Sequence, residues 1–393
     1  MSKRRLLKKI PFVLMAYIAL KPLYLFESGN LQICDFFLLF FIIFDFFRQR
    51  VVFRLKNEKI ILYLILFILY STIVNLLYYS EYSDIRFIQS IIFNIYNSIA
   101  FFYFISLGLY YKKKGISSSM SYGILISLSV CILGLFLFGV SGRNAGFFNN
   151  PNQLGLHVIM MIVLLVYTDD EFHAIGKFLV VIFAIIAAIA SVSKAAMISL
   201  AIFLPLYLFY LNRSGKISNI SLAGVIAVIV ILISFVSVKY SDELGSLEAI
   251  TYAQERLSNM GEEDDSDLST GRGFARVGEM KENLMIGMGE GAYNRFKIMR
   301  NHEIHSTFVS TFVSYGLLGS CLLLFVVLNL FYNKEKLLRN GIMLLPILLY
   351  SFSHNAIRNT LLWLIFALLW MDKYDNKIGG RTGGHKSQKT YAK

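Results

Sequence analysis

Apolar runs of roughly 17–25 residues recur along this chain, with short polar blocks between them. That length carries a helix across the hydrocarbon core of a bilayer. Most of the runs lack the polar face that a helix in a soluble bundle would show. The pattern predicts an all-α polytopic integral membrane protein with about 12 transmembrane helices. Their expected positions are residues 10–26, 33–47, 60–79, 87–111 and 120–140, then a sixth ending at 168. The run 178–211 is too long for one span and is broken at Ser191-Val192-Ser193-Lys194, which predicts two short helices. Residues 217–238, 306–332, 342–352 and 359–371 complete the set. The tail from Asp372 is polar, glycine-rich and basic, so it is expected to be disordered.

One stretch interrupts this rhythm. Residues 239–304 are long and polar enough to form a domain outside the lipid. The chain then divides into helices one to nine (1–238), a loop domain (239–304), helices ten to twelve (305–371) and a tail (372–393). Within the loop domain, residues 246–259 read as an amphipathic helix with Leu247, Ile250 and Leu257 on one face. Glu262-Glu263-Asp264-Asp265-Ser266-Asp267 is acidic, but its spacing does not match a calcium loop, and it reads as solvated. Thr270 is placed to cap a helix over 271–284. Gly287-Met288-Gly289-Glu290-Gly291 is a glycine-rich turn with no strand before it, so it is a weak nucleotide signal. His302 and His305 stand where the chain re-enters the lipid.

Charge narrows the function. The formal net charge is +13, from 38 Lys and Arg against 25 Asp and Glu. These cations sit in short blocks between apolar runs, the positive-inside pattern, which argues against nucleic acid as a partner and puts both termini in the cytoplasm. Outside those blocks and the long segment, only Lys21, Arg86, Arg143, Lys194 and Arg358 remain, all on the expected outer face. Cys34, Cys131 and Cys321 have neither metal nor disulfide spacing and read as small buried apolar groups. No small-residue cleavage site follows the first apolar run, so that run is expected to remain as a helix.

Several residues are candidates for chemistry. Lys194 lies at a helix junction inside an apolar run, where a cation either snorkels to the headgroups or meets an anionic ligand. Arg143 shares a loop with Asn149 and Asn152; this is either an ordinary turn or a surface for sugars and phosphates. Arg272 and Arg276 are four apart near an expected helix N-terminus, where the dipole and the guanidinium fork both favour phosphate. For Arg276, ion pairing with Glu279 is the preferred reading. His305 and His302 are candidate general bases, with a polar interfacial role preferred for His302. Two histidines three apart, with Glu303, are a thin ligand set, so no metal and no cofactor are expected.

Together these residues carry a resemblance. Arg143, Gly146, Phe148, Asn150, Pro151 and Asn152 are similar to an outer loop of the O-antigen polymerase and O-antigen ligase family. Ser191-Val192-Ser193-Lys194-Ala195-Ala196 resembles the family's Ser-Arg-Gly segment, with Lys194 in place of arginine. Ser269-Thr270-Gly271-Arg272 resembles its Ser-Gly-Arg, and Gly287-Met288-Gly289 its Gly-x-Gly. His305-Ser306 with Tyr315-Gly316-Leu317-Leu318-Gly319 resembles its His-Asn and Gly-Leu-Leu-Gly, with Ser306 in place of asparagine. The resemblance covers residues 141–319. It implies a GT-C-like, metal-independent glycosyltransferase of a bacterial inner membrane, with a periplasmic active site. The donor and acceptor would be oligosaccharides on undecaprenyl diphosphate, with membrane lipids and a chain-length regulator as further partners. Lys194, Arg272 and Arg143 would hold the diphosphate, and His305 would take the proton of the acceptor hydroxyl. Polymerase is favoured over ligase. A flippase for the same lipid-linked unit is the alternative from another class, but the ionisable residues gather at helix ends and not at the midplane.

Overall fold

The computed structural model describes residues 11–27, 29–48, 59–138, 144–217, 274–297, 302–333 and 336–383. Among the described residues, ten α-helices run in chain order: α1 (Phe12–Leu20), α2 (Ile33–Phe47), α3 (Lys59–Tyr82), α4 (Ile85–Leu137), α5 (Pro151–Thr168), α6 (Ala174–Ser191), α7 (Lys194–Arg213), α8 (Thr307–Phe331), α9 (Leu337–Ser351) and α10 (Thr360–Gly383). Short 3-10 turns join some of them, and there is no strand among the described residues. Among the described residues, seven stretches are long and apolar enough to cross a membrane. The described residues are those of a helical, multi-pass membrane protein. The expected ninth helix, the amphipathic 246–259, the acidic run and the Ser269–Arg272 motif lie outside the described residues, as does Arg143.

Helix α5 is the axis of the bundle. Every residue from Leu154 to Thr168 is buried, as the absence of a polar face along it requires. Gly155 lets α7 approach closely: a side chain there would touch the Cβ atoms of Ala196 and Ser193 and the Tyr350 hydroxyl. The break between α6 and α7 falls where expected, with Val192 in the left-handed region.

Four expectations are corrected. Helix α1 spans only nine residues and stops at Lys21, whose ammonium is turned inward onto Asp35, 3.0 Å away. The lysines at 112–114, expected as a loop, lie inside α4, whose 53 residues hold two apolar stretches, Ile85–Tyr111 and Lys113–Leu137. Residues 271–284 do not form one α-helix. The described part makes 3-10 turns at Phe274–Glu279 and Lys281–Asn283, which place Met280 in a small core with Tyr293, Phe296, Val309 and Val313. The tail is helical past Asp372, to Gly383.

Helix α8 is interrupted at Gly316, where φ is 61° and ψ −165°. The break frees backbone groups that must find partners elsewhere. Segment 284–289 supplies them: Met288 and Gly289 N–H donate to Val313 and Ser314 carbonyls at 2.8 Å, and Leu317 N–H donates to the Leu284 carbonyl at 2.9 Å. The glycine-rich turn is thus a plug against α8. Gly287 is needed there because a Cβ would come within 2.4–2.5 Å of the Ser314–Gly316 backbone.

Candidate functional site

The start of α8 is tied to the α9–α10 loop. Ser306 caps the helix, its Oγ accepting from Val309 N–H at 3.4 Å and donating to the Ser351 carbonyl at 3.3 Å. Thr307 donates to the His354 carbonyl through both its N–H (3.2 Å) and its Oγ1 (2.7 Å). This brings the exposed His305 ring to 6.2 Å from that of His354, centroid to centroid. His354 packs 5.0 Å from Tyr350, whose hydroxyl donates to the Asn152 carbonyl at 2.5 Å. Asn152 opens α5 and the buried Lys194 opens α7. Asn144 N–H donates to the Ala190 carbonyl at 3.0 Å, which fastens the loop after Arg143 to the turn before Lys194. His305, Asn152 and Lys194 therefore share one end of the bundle, called here the His305 end.

The other candidates are placed differently. Asn149 is exposed and donates its amide to the Phe26 carbonyl at 2.6 Å. His302 is exposed, and its carbonyl accepts from Arg276 at 3.0 Å. Arg276 is fully buried, with its guanidinium 4.4 Å from the Phe296 ring centre and 5.6 Å from that of Tyr293. Burial lowers its pKa from the ordinary arginine range. Its side chain is turned into the small core, so it does not present a fork to a phosphate at the surface. Arg272 and Arg143 are outside the described residues. Among the described residues no three His, Cys, Asp or Glu side chains cluster to hold a metal ion.

Two groups at this end were not singled out by sequence. His354 sits in a short loop between two apolar helices, a placement the sequence does show. Glu290, inside the glycine-rich turn, is buried and binds Arg358 at 2.9 Å and the Tyr315 hydroxyl at 3.0 Å. Arg358 also reaches Glu303 at 3.1 Å and Ser90 at 3.1 Å. Burial alone would lower the Arg358 pKa; the two carboxylates outweigh it and hold the group above its usual range.

Two cavities flank this end. A groove of about 1360 Å³ runs along α8 and α9, from Arg213, Lys336 and Arg339 at one end to Thr307, Thr311 and Ser351 at the other. Its walls between are mainly leucine, isoleucine, valine and phenylalanine. A smaller cavity of about 160 Å³ is lined by Lys21, Asp35, His157, Glu303 and Arg358, with Tyr24, Phe93 and Phe148 among the remaining walls. His305 lines neither cavity; along the chain it lies between Glu303, which lines the small cavity, and Thr307, which lines the groove. Set against known proteins, the chain matches no family model, and no curated protein matches it.

Proposed function

We propose that the protein is a membrane glycosyltransferase that extends a glycan carried on a polyprenyl diphosphate, an O-antigen polymerase in its reaction. The observation that carries this reading is the apolar groove, which reaches along α8 and α9 and ends at Thr307 and Ser351, beside His305 and His354. A long apolar chain suits such walls, and a diphosphate at its head would lie at the end that holds the buried Lys194. The twelve-span count, the GT-C-like class and the periplasmic orientation belong to the same proposal.

In the reaction, the oxygen of an acceptor sugar hydroxyl attacks the anomeric carbon of the donor glycan. The bond from that carbon to the phosphate oxygen breaks, and the diphosphate leaves with the electron pair. His305 takes the hydroxyl proton. Lys194 and Arg272, with Arg143, stabilise the charge that grows on the leaving group. The exposure of His305 suits a base that must meet a substrate arriving from outside.

Deleting the gene in its host and resolving the lipopolysaccharide on a gel tests the reading. A lipid A core bearing a single repeat unit is the expected outcome. A bare core with long polymer held on the carrier identifies the ligase instead, and a bare core with unextended units on the carrier identifies a flippase. Complementation with His305→Ala or Arg272→Ala should leave the protein in the membrane and shorten the polymer to one unit. Normal chain length in either variant removes that residue from the mechanism.

A further inference from the structure

The groove along α8 and α9 has a cationic end that the proposed reaction does not use. Arg213, Lys336 and Arg339 line it, together with the hydroxyl-bearing Tyr210 and Ser214. Positive charge is in surplus there. Asp372 is one carboxylate shared by Lys113, Lys336 and Arg339. Asp169 and Asp170, in the turn after α5, are bound to Lys177 and Lys216. Among the described residues no carboxylate meets the exposed Arg213. Cations beside an apolar phase are costly without a counter-charge, and a basic pocket between transmembrane helices suits an anionic lipid headgroup. An arginine fork also matches phosphate oxygens. The walls that continue from this end are mainly apolar. Leu324, Leu328, Leu337 and Leu345 on them are exposed, so acyl chains can enter sideways from the bilayer. Length sets how far those chains go. From Lys336 to Phe352 the groove follows α9, a rise of about 24 Å at ~1.5 Å per residue. The chains of one leaflet reach about half of the roughly 30 Å hydrocarbon core. They therefore fill the cationic half and stop short of Thr307 and Ser351. Phospholipid of the adjoining leaflet surrounds the protein in excess, and mass action favours it over a minor lipid.

We infer that the cationic half of the groove binds one anionic diacyl phospholipid from the adjoining leaflet, its phosphate against Arg213 and Lys336 and its chains on the walls of α8 and α9. Arg339, buried on Asp372, adds to the positive charge. Gly341 marks the path of the chains: it lines the groove, and within 4 Å a Cβ there meets only Phe331, at 3.9 Å. The inference does not depend on the glycosyltransferase reading, which puts its lipid head at the opposite end.

The test is native mass spectrometry of the full-length protein, delipidated in detergent and titrated with phosphatidylglycerol, with phosphatidylcholine of the same acyl chains, and with polyprenyl phosphate. Wild type should retain one phosphatidylglycerol, held roughly thirtyfold more tightly than phosphatidylcholine, the scale of two cations at a membrane surface. Arg213→Gln combined with Lys336→Gln should bring the two phospholipids level. Arg213 is exposed, and Asp372 keeps Lys113 and Arg339 when Lys336 is changed, so the pair of changes leaves the fold intact. Gly341→Phe puts a side chain into the groove without touching a charge, and should weaken both phospholipids alike. The inference is overturned if wild type holds phosphatidylcholine as tightly as phosphatidylglycerol, or if the double variant keeps the preference. Unchanged phosphatidylglycerol binding by Gly341→Phe also overturns it, because the chains would then lie outside the groove. So does polyprenyl phosphate that outcompetes phosphatidylglycerol in wild type and loses that advantage in the double variant, which would give the cations to a carrier lipid.

Discussion

The two ends of the bundle handle buried charge in opposite ways. At the end that carries Lys113, cations outnumber the carboxylates they bind. Asp372 is fully buried and meets Lys113 at 3.1 Å, Lys336 at 3.0 Å and Arg339. Asp169 meets Lys177 at 2.6 Å and Lys216 at 2.5 Å. At the His305 end the ion pairs are matched or reversed: Lys21 has Asp35, and Arg358 is shared by Glu290 and Glu303. The first arrangement staples helices together and leaves positive charge over, as the positive-inside rule demands of one face. The second fixes loops while cancelling charge in place.

Arg358 carries the largest expected effect. Removing one partner of a buried pair leaves the other charge uncompensated, at a cost of about 3–5 kcal/mol. Arg358→Met leaves Glu290 buried with only the Tyr315 hydroxyl donating to its side chain. The variant should unfold at a much lower temperature than wild type when followed by fluorescence in detergent. Adding Glu290→Gln should restore part of the loss. A single variant as stable as wild type would mean that the cluster is hydrated and the charge matching is superficial.

This cluster also marks what the sequence could and could not disclose. Apolar length and the polar break at Ser191–Lys194 placed α6 and α7, because a transmembrane helix is determined by its own residues. The Gly287–Gly291 turn was visible as a turn, but its role was not, since it depends on a break in α8 some 30 residues on, at Gly316, and on Tyr70 and Tyr78 of α3, whose hydroxyls donate to the Ile286 and Gly287 carbonyls. Arg276 was legible as a cation near a helix start, yet tertiary packing against Phe296 turned it inward. His305 was legible from its place at re-entry. Its neighbour His354 belongs to another loop, and tertiary bonds, among them those of Thr307 to the His354 carbonyl, bring the two together.

The glycine-rich plug against α8 carries a smaller effect. Gly287 has φ +86°, and a Cβ there would lie 2.4–2.5 Å from the backbone of the α8 break. Backbone strain of this kind costs about 1–3 kcal/mol, and here it falls on the bonds that satisfy Gly316's neighbours. Gly287→Ala should lower the unfolding temperature by less than Arg358→Met. It should also increase hydrogen exchange at Met288 and Gly289. An unchanged exchange pattern would show that the plug does not hold the break.

The smallest effect belongs to the Lys113 end. The Lys113 side chain is 40% exposed, and it is one of three cations on Asp372. A pair open to solvent contributes about 0–1 kcal/mol. Lys113→Ala should therefore shift the unfolding temperature little, because Lys336 and Arg339 still neutralise the carboxylate. The same logic makes Asp372→Asn costlier than Lys113→Ala, since it strips three cations of their shared partner at once. If Lys113→Ala proves as damaging as Arg358→Met, the surplus of cations at this end is not redundant. The contrast between a stapled end and a balanced end then gives way to a molecule in which every buried pair is equally needed.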